Sequence, residues 1–209
     1  MDAAEGVSLE PRRVLVRRGG ELTHVYFPLD AVISLVVAAE RRCVEAATVG
    51  REGFFGVGAA LGTATSEMEA IVQTPGEALR LPATDFRALL RDDRAFRRQV
   101  DRYTYLMLSH VARNVACNRF HLVEQRLARW LLATADRTQS QLFGITHAFL
   151  AELLGVRRVG VTTAAVTLQE RGLIHYSRGM VAIRDRDGLR RAACGCYRED
   201  LEAYKRHFE

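Results

Sequence analysis

The chain has 209 residues, 48% of them hydrophobic and 26% charged, with a net charge of +5 and an isoelectric point near 9.3. That length carries one large domain or two modest ones, each able to bury a core, and the basic balance favours an acidic partner, of which nucleic acid is the commonest. No apolar run reaches the ~18 residues of a membrane span and no basic segment leads into a secretory apolar region, so a soluble, cytoplasmic protein with no membrane partner is expected.

Residues 1–11 are polar and give no firm periodic signal. From Arg12 to about Pro82, short runs rich in Val and Ile (14–16, 24–27, 31–38, 43–49, 69–73 and 77–81) alternate with Gly19-Gly20, Pro28, Gly50, Gly53, Gly56, Gly58, Gly62 and Pro75-Gly76. Short strands with such turns predict a barrel or sandwich. Helices follow. A short one over 82–90 puts Phe86, Leu89 and Leu90 on one face, and a long one from Arg94 to about Arg119 carries Phe96, Val100, Tyr103, Met107 and Val111 on one side. Leu106, Leu108, Ala112 and Val115 are spread around the rest of it. Apolar on more than one side, this helix must cover its own domain and something else, and a second copy of itself is the economical partner. The Phe96–Val111 set is the predicted dimer seam, with His110 and Asn114 setting the pairing or bonding across it. The organisation is therefore α+β, with a β domain over 1–92, a connecting and dimerisation helix over 93–120 and a helical domain over 121–209.

The most specific stretch is Ile145–Ile174. Thr146 is positioned to cap a helix over 147–154 with Phe149, Leu150, Leu153 and Leu154 on one face, Gly155 ends it, and Val156 is the expected buried residue of the turn. A second helix over about 157–171 has Val161, Ala164, Ala165 and Leu168 as its buried stripe. Its first turns carry Arg157, Arg158, Gly160, Thr162 and Thr163, with no carboxylate before Glu170. Arginine takes guanine bidentately and threonine bonds a base or phosphate, so this is a helix suited to the major groove of DNA. Residues 173–183 then form a two-stranded wing with Arg178 at its tip. Over 141–191 there are eight arginines against four carboxylates. A helical module with a solvated arginine face is the plainer alternative. Arg126 and Arg129, on the preceding helix, fit either a phosphate contact or an ion-paired face.

Chemistry-bearing motifs are otherwise sparse. His24 and His121 have no evident nucleophile beside them, His147 is expected to face solvent, and no Gly-x-Ser-x-Gly or paired-carboxylate pattern occurs, so no enzyme is expected. Cys194-Gly-Cys196 lacks the two-residue spacer and partner pair of a zinc site, while Cys43 and Cys117 are expected to be small buried residues. Neither a metal nor a cofactor is predicted.

A glycine-punctuated β-roll, a long helix and a winged helix-turn-helix, in that order, resemble the Crp/Fnr family of bacterial transcription regulators. The resemblance runs from about Arg12 to Tyr197. His24-Val-Tyr-Phe-Pro28 with Ala31-Val-Ile-Ser-Leu35 is similar to the family's second and third strands, Thr48-Val-Gly-Arg-Glu-Gly53 with Gly56 to the approach to its phosphate-binding cassette, Gln125-Arg-Leu-Ala-Arg-Trp-Leu-Leu132 to the helix opening its DNA-binding domain, and Thr146–Ile174 to its helix-turn-helix. Members carry helices before the first strand; here little precedes it, which leaves a truncated or misassigned start open.

The resemblance implies a cyclic-nucleotide-binding-like β-roll and a homodimer that docks on a partly palindromic duplex DNA operator, with RNA polymerase as a further candidate partner. In nucleotide-binding members a Gly-Glu pair holds the ribose, and an Arg-Ser or Arg-Thr about ten residues on holds the cyclic phosphate. Here Gly53 and Gly56 lead into Val57, and the arginine's place reads Ser66-Glu67-Met68-Glu69. The cassette is thus expected to be degenerate and the regulator indifferent to cyclic AMP and cyclic GMP. A ligand-binding or protein-docking β-roll, with the winged helix as an interaction module, is the alternative.

Overall fold

The computed structural model describes residues 4–40 and 42–208. They form two compact units, one comprising the residues up to Val37 with Ala47–Ser109, the other Ala38–Ala46 with the residues from His110 onward.

The first unit is built on strands β1 (Glu5–Leu9), β2 (Val14–Val16), β3 (His24–Pro28), β4 (Val32–Ala39) and β5 (Arg42–Val49), the single turn α1 (Val57–Ala60), and β6 (Glu69–Thr74) and β7 (Gly76–Pro82). Two antiparallel sheets result, β1-β7-β3 and β2-β6-β4-β5, as the run of short strands predicted. Strand β1 lies within the stretch that showed no periodic signal. Only Leu9 of its side chains is buried, and backbone pairing with β7, from Glu5 opposite Arg80 to Leu9 opposite Gly76, defines it. Val25, Val32, Ile33, Val49 and Val72 are fully enclosed. Helix α2 (Ala83–Asp92) adds Phe86 to an aromatic cluster in which Phe54 lies 5.5 Å from Phe27, 5.3 Å from Phe86 and 5.0 Å from Tyr103 between ring centroids.

Tyr103 belongs to α3 (Arg94–Phe120), so the side of α3 expected to form a dimer seam also lines this core. Val100, Tyr103 and Met107 are buried, Phe96 meets Phe86 edge-on at 5.9 Å, and Val111 is half-buried. The strongest apolar stripe of a helix goes to its own core first. The large apolar side chains that α3 exposes are Tyr105, Leu108 and Val115, which are 58%, 66% and 68% accessible, and Phe120 at its end, 76% accessible.

The second unit contains α4 (Val123–Thr138), β8 (Leu142–Gly144), α5 (His147–Leu154), α6 (Arg158–Glu170), β9 (Ile174–Ser177), β10 (Met180–Ile183), α7 (Arg186–Ala192) and α8 (Cys196–Phe208). Leu127, Leu131, Leu132, Leu150, Val161, Leu168 and Leu189 form its core. The tip of the β4–β5 hairpin belongs here: Trp130 Nε1 donates to the Glu45 carboxylate at 3.2 Å and Asn114 Nδ2 to the Ala46 carbonyl at 2.8 Å. His110 Nδ1 meets Asp200 at 3.3 Å. His110 and Asn114 of α3 are therefore engaged inside this unit, where the sequence suggested a role in a seam.

Candidate nucleic-acid interface

Helix α5 spans His147–Leu154 as predicted, because each end is specified chemically. The Thr146 hydroxyl accepts from the Phe149 N–H at 3.2 Å, and Gly155, at φ 64°, is the left-handed residue that releases the chain. Val156 is half-buried, and its N–H closes the turn on the Ala151 carbonyl at 3.0 Å. Helix α6 starts one residue later and ends one residue earlier than expected. Its buried stripe is Val161, Ala164, Ala165 and Leu168.

The opposite face of α6 is exposed and holds Val159, Thr162, Thr163 and Val166, with Arg157 and Arg158 leading into it. Val159 and Val166 were missed in the sequence. The signal was present, since they sit three and four residues from the threonines and off the buried stripe. No side chain among the described residues caps α6, so its first N–H groups, the positive end of the helix dipole, remain available. Around Gly160 nothing stands within 4 Å of where a Cβ would be. Its own fold does not demand glycine there, although glycine costs a helix about 1 kcal/mol relative to alanine.

His147, expected to face solvent, instead ties the module together. Its ring stacks on Tyr176 with centroids 4.2 Å apart and its Nδ1 lies 3.0 Å from the Thr162 hydroxyl. Burial and the nearby Arg158 charge lower its pKa, favouring the neutral ring that can share a hydrogen bond with Thr162. Tyr176 in turn donates its hydroxyl to the Ile145 carbonyl at 2.6 Å, while its N–H is held by Gln169 of α6 at 2.7 Å. Thr162 thus has an oriented hydroxyl.

The wing is one strand larger than predicted, a β8-β10-β9 sheet. Ser177 pairs with Met180, so the β9–β10 loop is Arg178-Gly179, with φ 50° and 78°. Two left-handed residues make the tight turn whose twist suits a hairpin, and they leave Arg178 exposed at its tip.

Arg129 takes the ion-paired alternative, and Arg126 is spent on a backbone carbonyl. Arg126 is buried and donates to the Leu154 carbonyl at the end of α5; Arg129 pairs with Asp200 at 2.7 Å. Asp200 also receives Arg113. Burial works against the Asp200 charge, but His110 and Arg129 outweigh it and hold this carboxyl far below the usual range.

In the β-roll unit, the cassette glycines are turn and packing residues. A Cβ on Gly53 would stand 1.9 Å from the Tyr103 ring, and one on Gly56, at φ 113°, 2.6 Å from Val25 Cγ1. Val57 opens α1, Ser66 donates to the Met68 carbonyl at 2.7 Å, and Glu67 is exposed. The stretch 52–79 contains no arginine or lysine.

One group of chemically active side chains escaped the sequence reading. Cys117, His121, Cys194 and Cys196 place their ligand atoms within 4.8 Å of one another. The three thiols are buried, whereas Cys43 lies apart and is half-exposed. Cys194-Gly-Cys196 lacked a partner pair only in sequence, because Cys117 and His121, four residues apart and so on one face at a helix end, supply it.

A β-roll followed by a long helix and a winged helix-turn-helix defines a class of DNA-binding transcription regulator. The family comparisons match both halves: the cyclic nucleotide-binding domain over residues 6–93 and the Crp-like helix-turn-helix domain over residues 125–192. The chain belongs to the Crp/Fnr family. Solved structures share its fold, among them FixK2 from Bradyrhizobium japonicum, with a TM-score of 0.77 at 14% identity over 92% of this chain and 98% of that one. The CRP-family regulator TTHB099 from Thermus thermophilus gives 0.74 at 23% identity over 90% and 96%. The c-di-GMP-responsive regulator CLP from Xanthomonas campestris gives 0.68 at 17% over 87% and 94%. No curated protein matches the sequence. No helix among the described residues is long and apolar enough to cross a membrane.

Proposed function

We propose that the protein is a sequence-specific regulator that docks α6 in the major groove of a partly palindromic operator, as a homodimer, without control by cyclic AMP or cyclic GMP. The observation that carries this reading is the outer face of α6. It offers two arginines, two hydroxyls and two β-branched apolar side chains, with no carboxylate until its last residue. Arg157 and Arg158 supply guanine or phosphate contacts, Thr162 and Thr163 hydrogen bonds, and Val159 and Val166 apolar surface for thymine methyls. The helix start and Thr146, next to the wing turn, suit phosphate, as does Arg178 at the wing tip. Gly160 lets the DNA backbone approach where a side chain would stand. Self-association through the Tyr105, Leu108 and Val115 side of α3 would present two such helices ~34–36 Å apart, in successive major grooves. RNA polymerase is a natural further partner of a regulator bound this way.

The direct test is retardation of the protein's own upstream DNA. Retention of a discrete complex against excess unrelated DNA, with affinity falling steeply as salt rises, is the expected result. Binding that is equal on all sequences would reduce the reading to a non-specific basic surface.

A further inference from the structure

We propose that Cys117, His121, Cys194 and Cys196 form a structural zinc site that clips the two ends of the DNA-binding unit together. This site is independent of how α6 reads DNA.

The distances suit one tetrahedral ion. Cys117 Sγ lies 3.6 Å from Cys194 Sγ, and Cys196 Sγ lies 3.6 Å from His121 Nδ1. Zinc–sulfur and zinc–nitrogen bonds of ~2.3 and ~2.0 Å at tetrahedral angles require edges of ~3.8 Å between sulfurs and ~3.5 Å between sulfur and nitrogen. With all four atoms within 4.8 Å, one ion fits. An iron–sulfur cluster would spread its thiolates over more than one metal and need wider spacing. A Cys117–Cys194 disulfide would need its sulfurs at ~2.05 Å, well inside the observed separation.

Chemistry and charge agree. Three thiolates and a neutral imidazole give zinc a closed set of four soft and borderline ligands, with no position left for water or substrate, so the site is structural. The resulting complex carries one negative charge. Arg129, whose side chain is only 12% accessible, and the buried Arg126 stand near these sulfurs and supply the opposite sign. Such surrounding donors and charges are what orient and tune a thiolate-bound metal.

The local fold delivers the ligands from both ends of the unit. The His121 N–H donates to the Cys117 carbonyl at 3.1 Å, which keeps these two on one side of the last turn of α3. Cys194 and Cys196 flank Gly195 in the link between α7 and α8, and the Cys194 N–H contacts the Gln125 carbonyl at 3.4 Å. The pairs are separated by 77 and 75 residues of chain, so the ion closes a loop around α4, the helix-turn-helix and the wing. Closing a long loop in the folded state alone converts metal affinity into stability.

The test uses the full chain, carrying no histidine tag and purified in reductant without chelator. Elemental analysis is expected to find about one zinc per chain. After removal of that zinc, cobalt(II) titration should give the visible bands of a tetrahedral ion and a thiolate-to-cobalt charge-transfer band, saturating at one equivalent. Chelation should lower the thermal midpoint by roughly 10 °C or more, with recovery on adding zinc. Cys194→Ser and His121→Ala should lose the metal, whereas His121→Cys and Cys43→Ser should keep it. Three results would overturn the proposal: reduced protein with neither zinc nor a tetrahedral cobalt spectrum, iron with acid-labile sulfide, or a Cys117–Cys194 disulfide in the freshly isolated chain. The wild-type measurements decide the matter even if a variant fails to fold.

Discussion

At the scale of single residues, the proposed DNA contacts and the charges behind them make different predictions. An arginine that reads a base should lose about 1–3 kcal/mol of operator binding when replaced by alanine and relax one position, while one that only meets phosphate should weaken all sequences and flatten the salt slope by about one unit. Arg157→Ala and Arg158→Ala, compared on matched operator variants at several salt concentrations, separate these roles; an unchanged double variant removes both assignments. Asp200 belongs to stability instead. Its carboxylate joins Arg113, Arg129 and His110, all largely buried. Because its folded pKa is depressed, the stabilisation is complete above the unfolded carboxylate pKa of ~3.9 and is lost as pH falls below it. Asp200→Asn leaves two buried arginines short of a counter-charge, a loss of roughly 3 kcal/mol near neutral pH. The gap between variant and parent should then narrow in denaturation curves taken from pH 6 down towards pH 3; a constant gap would mean that shape, not charge, is what Asp200 contributes.

At the scale of elements, the Gly155 turn and the exposed side of α3 are the places where one change reaches furthest. Alanine at Gly155 must adopt φ 64° and put its Cβ 3.1 Å from Val44. The left-handed strain is about 1–2 kcal/mol, and the contact adds to it, so Gly155→Ala should lower stability by at least that amount in denaturant titrations. An equal or higher midpoint would show that the turn is not under this constraint. On α3, Leu108→Glu or Val115→Glu should shift the protein towards monomer in sedimentation without unfolding it, since both side chains are open to solvent in one chain. Met107→Glu should instead unfold the β-roll, because Met107 is core. If Leu108→Glu and Val115→Glu leave a dimer intact, the seam lies elsewhere. This division also shows what the sequence could convey. Helix α5 was legible to the residue because Thr146 and Gly155 act locally. Which side of α3 faces its own core was not, because periodicity marks an apolar stripe without naming what covers it. Strands β1 and β8 were missed for a related reason: each owes its existence to a partner strand far along the chain. The Cys117, His121, Cys194 and Cys196 group is the extreme case, four residues brought together only by the whole helical unit.

At the scale of the whole molecule, the β-roll is expected not to respond to cyclic nucleotides. A cyclic phosphate withdrawn from water needs a cation and several donors, since an unpaired buried charge costs far more than ordinary contacts return. The stretch 52–79 supplies Glu52, Glu67, Glu69 and Glu77 and no arginine or lysine. Val57, where the family's ribose-binding carboxylate belongs, has no side-chain acceptor. The aromatic ring of Tyr103 also stands against Gly53, so that glycine serves internal packing. Calorimetry with cyclic AMP and cyclic GMP on the full chain should therefore give no micromolar binding, and operator affinity should be unchanged in their presence. Restoring one anchor offers a sharper form of the test. Val57→Glu with Met68→Arg places a carboxylate and a guanidinium near their family positions, and a gain of cyclic-nucleotide binding in that variant alone would identify the missing charges as the cause. Micromolar binding by the unmodified chain would instead mean that backbone N–H groups suffice to hold the phosphate, and the proposed independence from cyclic nucleotides would fall.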